Sequence, residues 1–165
     1  MMMIRRDSSG VTLVELSVIL VILGIVAGIT LQGASLLQGA LGAGRAMGAA
    51  DNIAQAIRYT RQRAITDAQD YCVAFRITGG VGAYEIYTGA RSGTSCSGTS
   101  VEGPVNLPGS ATIGAAVALR FTPVSTVDPV GPTDIVVTST SEGASCSVTL
   151  TVTPEGGTQL PGTTC

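Results

Sequence analysis

The chain has 165 residues, a formal net charge of −2 and 45% hydrophobic residues, which leaves room for one globular domain beyond any N-terminal segment. Histidine and lysine are both absent, so the many serines and threonines lack a histidine base and a zinc site lacks its commonest nitrogen ligand. No phosphate loop, dinucleotide fingerprint or paired-carboxylate site stands out, so the chain does not read as an enzyme, and no cofactor or metal is expected. Residues 1–10 form a short polar leader with Arg5, Arg6 and Asp7, ending in Gly10. Glu15 then heads a stretch, residues 16–44, that carries no charge before Arg45. A bilayer core needs about 20 helical residues, so a transmembrane helix is expected over 11–44. Glu15 at mid-membrane would cost roughly 2.5–3.5 kcal/mol. Each Leu, Ile or Val between Leu16 and Leu31 returns about 0.3–0.6 kcal/mol, so insertion survives the carboxylate. Arg5 and Arg6 place the N-terminus in the cytoplasm and the rest outside. A secretory signal peptide is the competing reading; the carboxylate at the head of the apolar core and the absence of a stop before Gly33 argue against it. Within the run, Gly24 and Gly28 make a small-xxx-small pattern, extended by Gly33, Ser35 and Gly39, which lets helices approach closely.

Residues 45–165 read as the globular domain, with an amphipathic helix over 45–70 and a β-rich part over 71–165. Met47, Ala50, Ile53, Ala54, Ile57, Ala64 and Ala68 recur at helical spacing and form a stripe for packing on a sheet. After Asp70 the period changes to two. Val73, Phe75 and Ile77 alternate with Cys72, Ala74 and Arg76, Gly79-Gly80-Val81-Gly82 turns the chain, and Tyr84–Tyr87 returns it, so the segment reads as a hairpin. Residues 90–100 are rich in Gly, Ser and Thr and read as a loop. Residues 116–122, 133–140 and 147–153 are further strands, punctuated by Pro123, Pro129, Pro132 and Pro154. The fold class is α+β: a long N-terminal helix packed on an antiparallel β-sheet or small β-sandwich.

At Gly10-Val11-Thr12-Leu13-Val14-Glu15-Leu16 the chain resembles the type IV prepilin signal. The segment Ile57-Arg58-Tyr59-Thr60-Arg61-Gln62-Arg63-Ala64-Ile65 and the hairpin after it are similar to H-type minor pseudopilins and FimT-like minor pilins. The resemblance implies a pilin-like fold and a structural role. It implies cleavage between Gly10 and Val11 by a prepilin peptidase, N-methylation of the new Val11 amine, and pairing of Glu15 with a neighbouring subunit's amine during filament assembly. Its implied partners are the prepilin peptidase, other pilins or pseudopilins, an inner-membrane assembly platform and membrane lipid. The location it implies is a single-pass inner-membrane protein with a periplasmic C-terminal domain, incorporated into a periplasmic pseudopilus or pilus. Buried charges are tolerated when paired, which is a physical reason for the Glu15–amine pair.

Four cysteines lie beyond the apolar run, where thiols tend to oxidise. Three pairings are possible; proximity favours Cys72–Cys96 and Cys146–Cys165, each worth roughly 3 kcal/mol by chain entropy. Arg58, Arg61 and Arg63 make the dense basic patch, which reads as a solvated helix face. Beyond it Arg76, Arg91 and Arg120 stand against a larger number of acids, and the turn at residues 156–161 has no basic residue; nucleic acid is not an expected partner. The leading function is a minor pseudopilin of a type II secretion system, helping to export folded proteins. The alternatives are a minor type IV pilin in pilus assembly or DNA uptake and, from another class, a secreted or membrane-anchored binding domain.

Overall fold

The computed structural model describes residues 12–141, 144–160 and 162–165, without the side chains of residues 29–39, 141 and 144. One helix, α1, runs over Leu13–Thr66. Contacts divide the chain into two units, one up to Leu37 and the other from Gln38 to Cys165.

In the first unit the helix starts at a cap. The Thr12 hydroxyl accepts the Glu15 backbone N–H at 3.3 Å, and the Thr12 carbonyl accepts the Leu16 N–H at 3.1 Å. Thr12-x-x-Glu15 is thus a capping-box sequence in which threonine satisfies one orphan donor of the first turn. The apolar side chains that follow, from Leu13 to Val26, are 48–85% exposed. A helix that is hydrophobic all round is expected to be buried by something larger than itself. Among the described residues no helix is long and apolar enough to cross a membrane, as the span expected over 11–44 would; the described side chains of the apolar run end at Gly28.

In the second unit, Ala46, Ala49, Ala50, Ile53, Ala54, Ile57 and Ala64 of α1 are buried. The stripe differs from the expected one at both ends: Met47 is half-exposed, its place taken by Ala46 and Ala49, and Ala68 lies beyond the helix. Thr60 is buried too, and its hydroxyl donates to the Ala56 carbonyl at 2.7 Å, which removes the desolvation cost of that group. The helix ends before the expected residue 70. Ala68 takes a left-handed φ of 51°, and the Gln69 N–H reaches back to the Ala64 carbonyl at 3.3 Å. That is a Schellman-type end with alanine where glycine is the usual residue.

The chain then builds two main antiparallel sheets. The first contains β1 (Tyr71–Thr78), β2 (Val81–Thr88), β5 (Thr99–Asn106), β7 (Val117–Phe121) and β8 (Val127–Asp128), in the order β5-β2-β1-β7-β8. The second has the order β11-β10-β9-β6, with β6 at Thr112–Ile113, β9 at Thr133–Ser141, β10 at Ala144–Val152 and β11 at Thr158–Gln159; β12 (Thr163–Thr164) also pairs with β10. Helix and both sheets share one core: Ile53 and Ile57 pack in the same cluster as Phe75, Ile86, Leu119 and Phe121 of the first sheet and Val137, Val148 and Leu150 of the second.

The expected hairpin forms with Tyr71 opposite Thr88 and Thr78 opposite Val81. Residues 90–100 are not the featureless loop expected. They hold a small hairpin, β3 (Arg91–Ser92) and β4 (Ser95–Cys96), and the start of β5. This hairpin explains why β1 is buried on both faces from Tyr71 to Phe75. Val73 and Phe75 face the main core, whereas Cys72 and Ala74 form a second cluster with Ala118, covered by Tyr87 and Cys96. Gly98 admits no substitute: its φ is +133°, and a Cβ there would lie 1.8 Å from the Thr88 carbonyl oxygen.

Candidate assembly site

The residues expected to carry function fall mostly in the first unit. Gly10 and Val11 lie outside the described residues. Glu15 sits in the first turn of α1 with its side chain exposed, where a carboxylate is favoured by the unpaired N–H groups and the helix dipole. It makes no ion pair among the described residues. Its backbone N–H is held by Thr12, while the exposed carboxylate stays open to a cation. Chemically the arrangement is an exposed apolar rod with one acid at its head. Gly24 and Gly28 leave open space: a Cβ at either would meet nothing within 4 Å. Thr12 is a functional cap in addition to the residues expected from the sequence, and the Thr-x-x-Glu spacing is its signal.

In the second unit the four cysteines form two disulfides. Cys72 joins Cys96, with Cα atoms 5.7 Å apart, and ties the β3–β4 hairpin onto the outer face of the first sheet. Cys146 joins Cys165, with Cα atoms 4.2 Å apart, and ties the chain end to β10. Among the described residues no group of His, Cys, Asp or Glu is placed to hold a metal.

The ionisable groups there make structural pairs. Arg120 donates to one oxygen of Asp70 from Nε at 3.1 Å and from an Nη at 2.6 Å. Arg91 meets Asp128 at 3.1 Å. Arg63 meets Asp67 at 3.5 Å and stacks over the rings of Tyr59 and Tyr71 at 5.6 and 5.7 Å. The Tyr71 hydroxyl donates to Asp67 at 2.6 Å; this hydrogen bond, with burial, pushes the phenol above its ordinary range. Glu85 is buried on β2, where it is paired with Arg76 and accepts from Ser100 at 2.8 Å. Burial alone would raise its carboxyl; hydrogen bonds from Tyr87 and Ser100 and the Arg76 charge outweigh burial and hold it below the ordinary carboxylate range. The expected basic patch is divided: Arg63 is neutralised, while Arg61 donates to Ser125 at 2.7 Å and Arg58 to Thr158 at 3.4 Å.

A capped apolar helix headed by one acid, followed by a helix-on-sheet domain, defines the class of type IV pilin-like subunits. Residues 5–31 match the prokaryotic N-terminal methylation motif. Residues 49–157, well over half the chain, match the family described as type II transport protein GspH. The chain belongs to that family. Its fold is similar to the crystal structure of the Pseudomonas aeruginosa PAO1 type IV minor pilin FimU, at 16% identity, covering 71% of this chain and 88% of that one, with a TM-score of 0.51. A second crystal form of FimU gives 18% identity, coverage of 70% and 92%, and a TM-score of 0.45. At these identities the likeness concerns the fold alone. No curated protein matches the chain significantly in sequence.

Proposed function

We propose that this chain is a minor pseudopilin of a type II secretion system, assembled through its N-terminal helix into a periplasmic filament that helps export folded proteins. The observation that carries the reading is one chain holding both the methylation motif at residues 5–31 and the GspH domain at residues 49–157. In this reading residues 1–10 are the leader, residues 11–44 span the inner membrane, and residues 45–165 are the periplasmic domain. A prepilin peptidase cuts between Gly10 and Val11, and the new Val11 amine is methylated. The exposed apolar side chains of α1 pass first into lipid and then, on the assembly platform, into the filament core. The Gly24 and Gly28 face lets neighbouring helices approach. Glu15 pairs with an incoming subunit's amine, so each charge is removed from water only when its partner is present.

Intact mass and N-terminal sequencing of the membrane-extracted protein test the processing step. The expected start is Val11, methylated, and Gly10→Val is expected to leave an uncut precursor because a bulky side chain obstructs the peptidase. A start near Gly44 would instead establish a secretory signal. Deleting the chain then separates the two filament classes. Loss of protein secretion with normal pili supports the type II assignment, and loss of pili with normal secretion transfers the chain to a type IV pilus.

A further inference from the structure

Between α1 and the edge of the first sheet the second unit holds an open groove of about 420 Å³, lined by Asn52, Gln55, Ala56, Tyr59, Tyr84 and Glu102. The four helix residues recur at steps of three and four, so they share one face of α1. The facing wall comes from β2 and from β5, the edge strand. Glu102 stands opposite Ile86, which lies in the main core. Directly opposed residues point to the same face of a sheet, so the carboxylate points toward the α1 side. The pairing then slips at Gly103, whose φ is 114°, a bulge of the kind that aims a side chain at a sheet edge.

Among the described residues Glu102 makes no ion pair. Nor do its carboxylate, the Tyr84 hydroxyl or the Asn52 and Gln55 amides make a side-chain hydrogen bond there. Burial first, and then the nearby Glu102 and Tyr59, push the Tyr84 phenol above its ordinary range. Arg63 lies over the Tyr59 ring at 5.6 Å, but it is paired with Asp67 and is not part of the groove lining. An inward charge on an edge strand guards against strand addition, yet that purpose needs neither the two amides nor the two phenols. A carboxylate set among phenols and side-chain amides is the surrounding an ammonium or guanidinium takes, by charge-assisted hydrogen bonds and by contact with ring faces.

We propose that this groove receives a lysine or arginine side chain from a different pilin-like subunit, with Glu102 as its counter-charge and the Asn52 and Gln55 amides and the Tyr84 hydroxyl as further polar partners. This chain has no lysine, and Arg63, Arg76, Arg91 and Arg120 already meet carboxylates, so it is poorly equipped to fill the groove of a second copy. A non-identical occupant fits a minor component, whose neighbours are other subunits. Specificity follows from the same charge: a neighbour with an acidic or apolar residue there would leave Glu102 desolvated without a counter-ion. The proposal rests on the filament reading above and names the chemistry of one neighbour within it.

The test is photo-crosslinking in the full-length, membrane-embedded protein in its own cells. A benzophenone amino acid replaces Gln55, and the product is mapped by mass spectrometry. The expected product joins this chain to a second chain of different sequence that carries a prepilin motif, with the crosslinked end beside a lysine or arginine. Glu102→Gln keeps the shape, removes the charge and should cut the yield about tenfold or more. Asn52→Lys sets a cation in the groove from the helix side and should do the same. Glu102→Arg should abolish the product, and changing the partner's basic residue to glutamate should restore it. A product with a second copy of this chain, a product ending on a segment without a basic residue, a yield insensitive to the Glu102 and Asn52 variants, or a reversal without rescue overturns the proposal. The Val11 N-terminus and filament incorporation are measured on the same samples. A processed, incorporated subunit without the product overturns this contact alone, whereas a chain never processed overturns the filament reading and this contact with it.

Discussion

Replacing Cys165 by serine opens the Cys146–Cys165 bridge while leaving the buried Cys146 in place. The bridge closes a loop with a sequence separation of 19. The chain-entropy relation for a loop of that length gives about 3.2 kcal/mol at 25 °C. Little in the folded state offsets the loss. Cys165 is exposed, and β12, which the bridge holds against β10, is only two residues long. With a urea slope of about 1.5 kcal/mol/M, the midpoint of the second unit should fall by roughly 2 M. The assay is urea unfolding of the full-length protein in detergent, wild type against Cys165→Ser, followed by near-ultraviolet circular dichroism. Cys146 is fully buried in the main core, so Cys146→Ala adds a packing loss and should cost more than Cys165→Ser. A Cys165→Ser midpoint within experimental error of wild type would refute the reasoning, since chain entropy would then contribute nothing here.

Three other outcomes follow from the same structure. Ala68→Gly should stabilise the second unit by about 0.5–1 kcal/mol, because glycine adopts the left-handed conformation at the end of α1 without the Cβ penalty; an unchanged or lower melting temperature counts against the assigned end. Glu85→Gln should destabilise at neutral pH by about 1.5–3 kcal/mol, the scale of a hydrogen-bonded charged group. Since the folded carboxyl lies below its ordinary value, that contribution is full above the unfolded value of about 4.3 and is lost as pH falls through the folded one, so the two proteins should converge in acid; a gap independent of pH would refute the pairing. Glu15→Val should leave membrane insertion intact but block filament incorporation, read by fractionation and filament pull-down; normal incorporation of the variant would sink the amine-pairing argument.

Local chemistry made several features legible in the sequence. Gly10, Glu15 and the apolar run signal the N-terminal processing motif because they must coincide within a few residues. The Tyr71–Thr88 hairpin is readable because alternation on both strands meets a glycine turn, and the alternation of Val148, Leu150 and Val152 with threonines places one face of β10 in the core. Tertiary structure decided what depends on contacts distant in sequence. Strand β5, at Thr99–Asn106, has no buried face to impose a pattern; it exists because β2 offers it an edge to pair with. Alternation alone would leave Cys72 and Ala74 on a solvent face of β1, and it is Tyr87 of β2 and Cys96 of the β3–β4 hairpin that cover them. Arg58, Arg61 and Arg63 look equivalent in the chain; Arg63 pairs locally with Asp67 one turn on, whereas the hydroxyls that Arg61 and Arg58 meet, on Ser125 and Thr158, lie far along the sequence. Periodicity reports which way a side chain points along its own element; what it meets there is set by elements fifty or a hundred residues away.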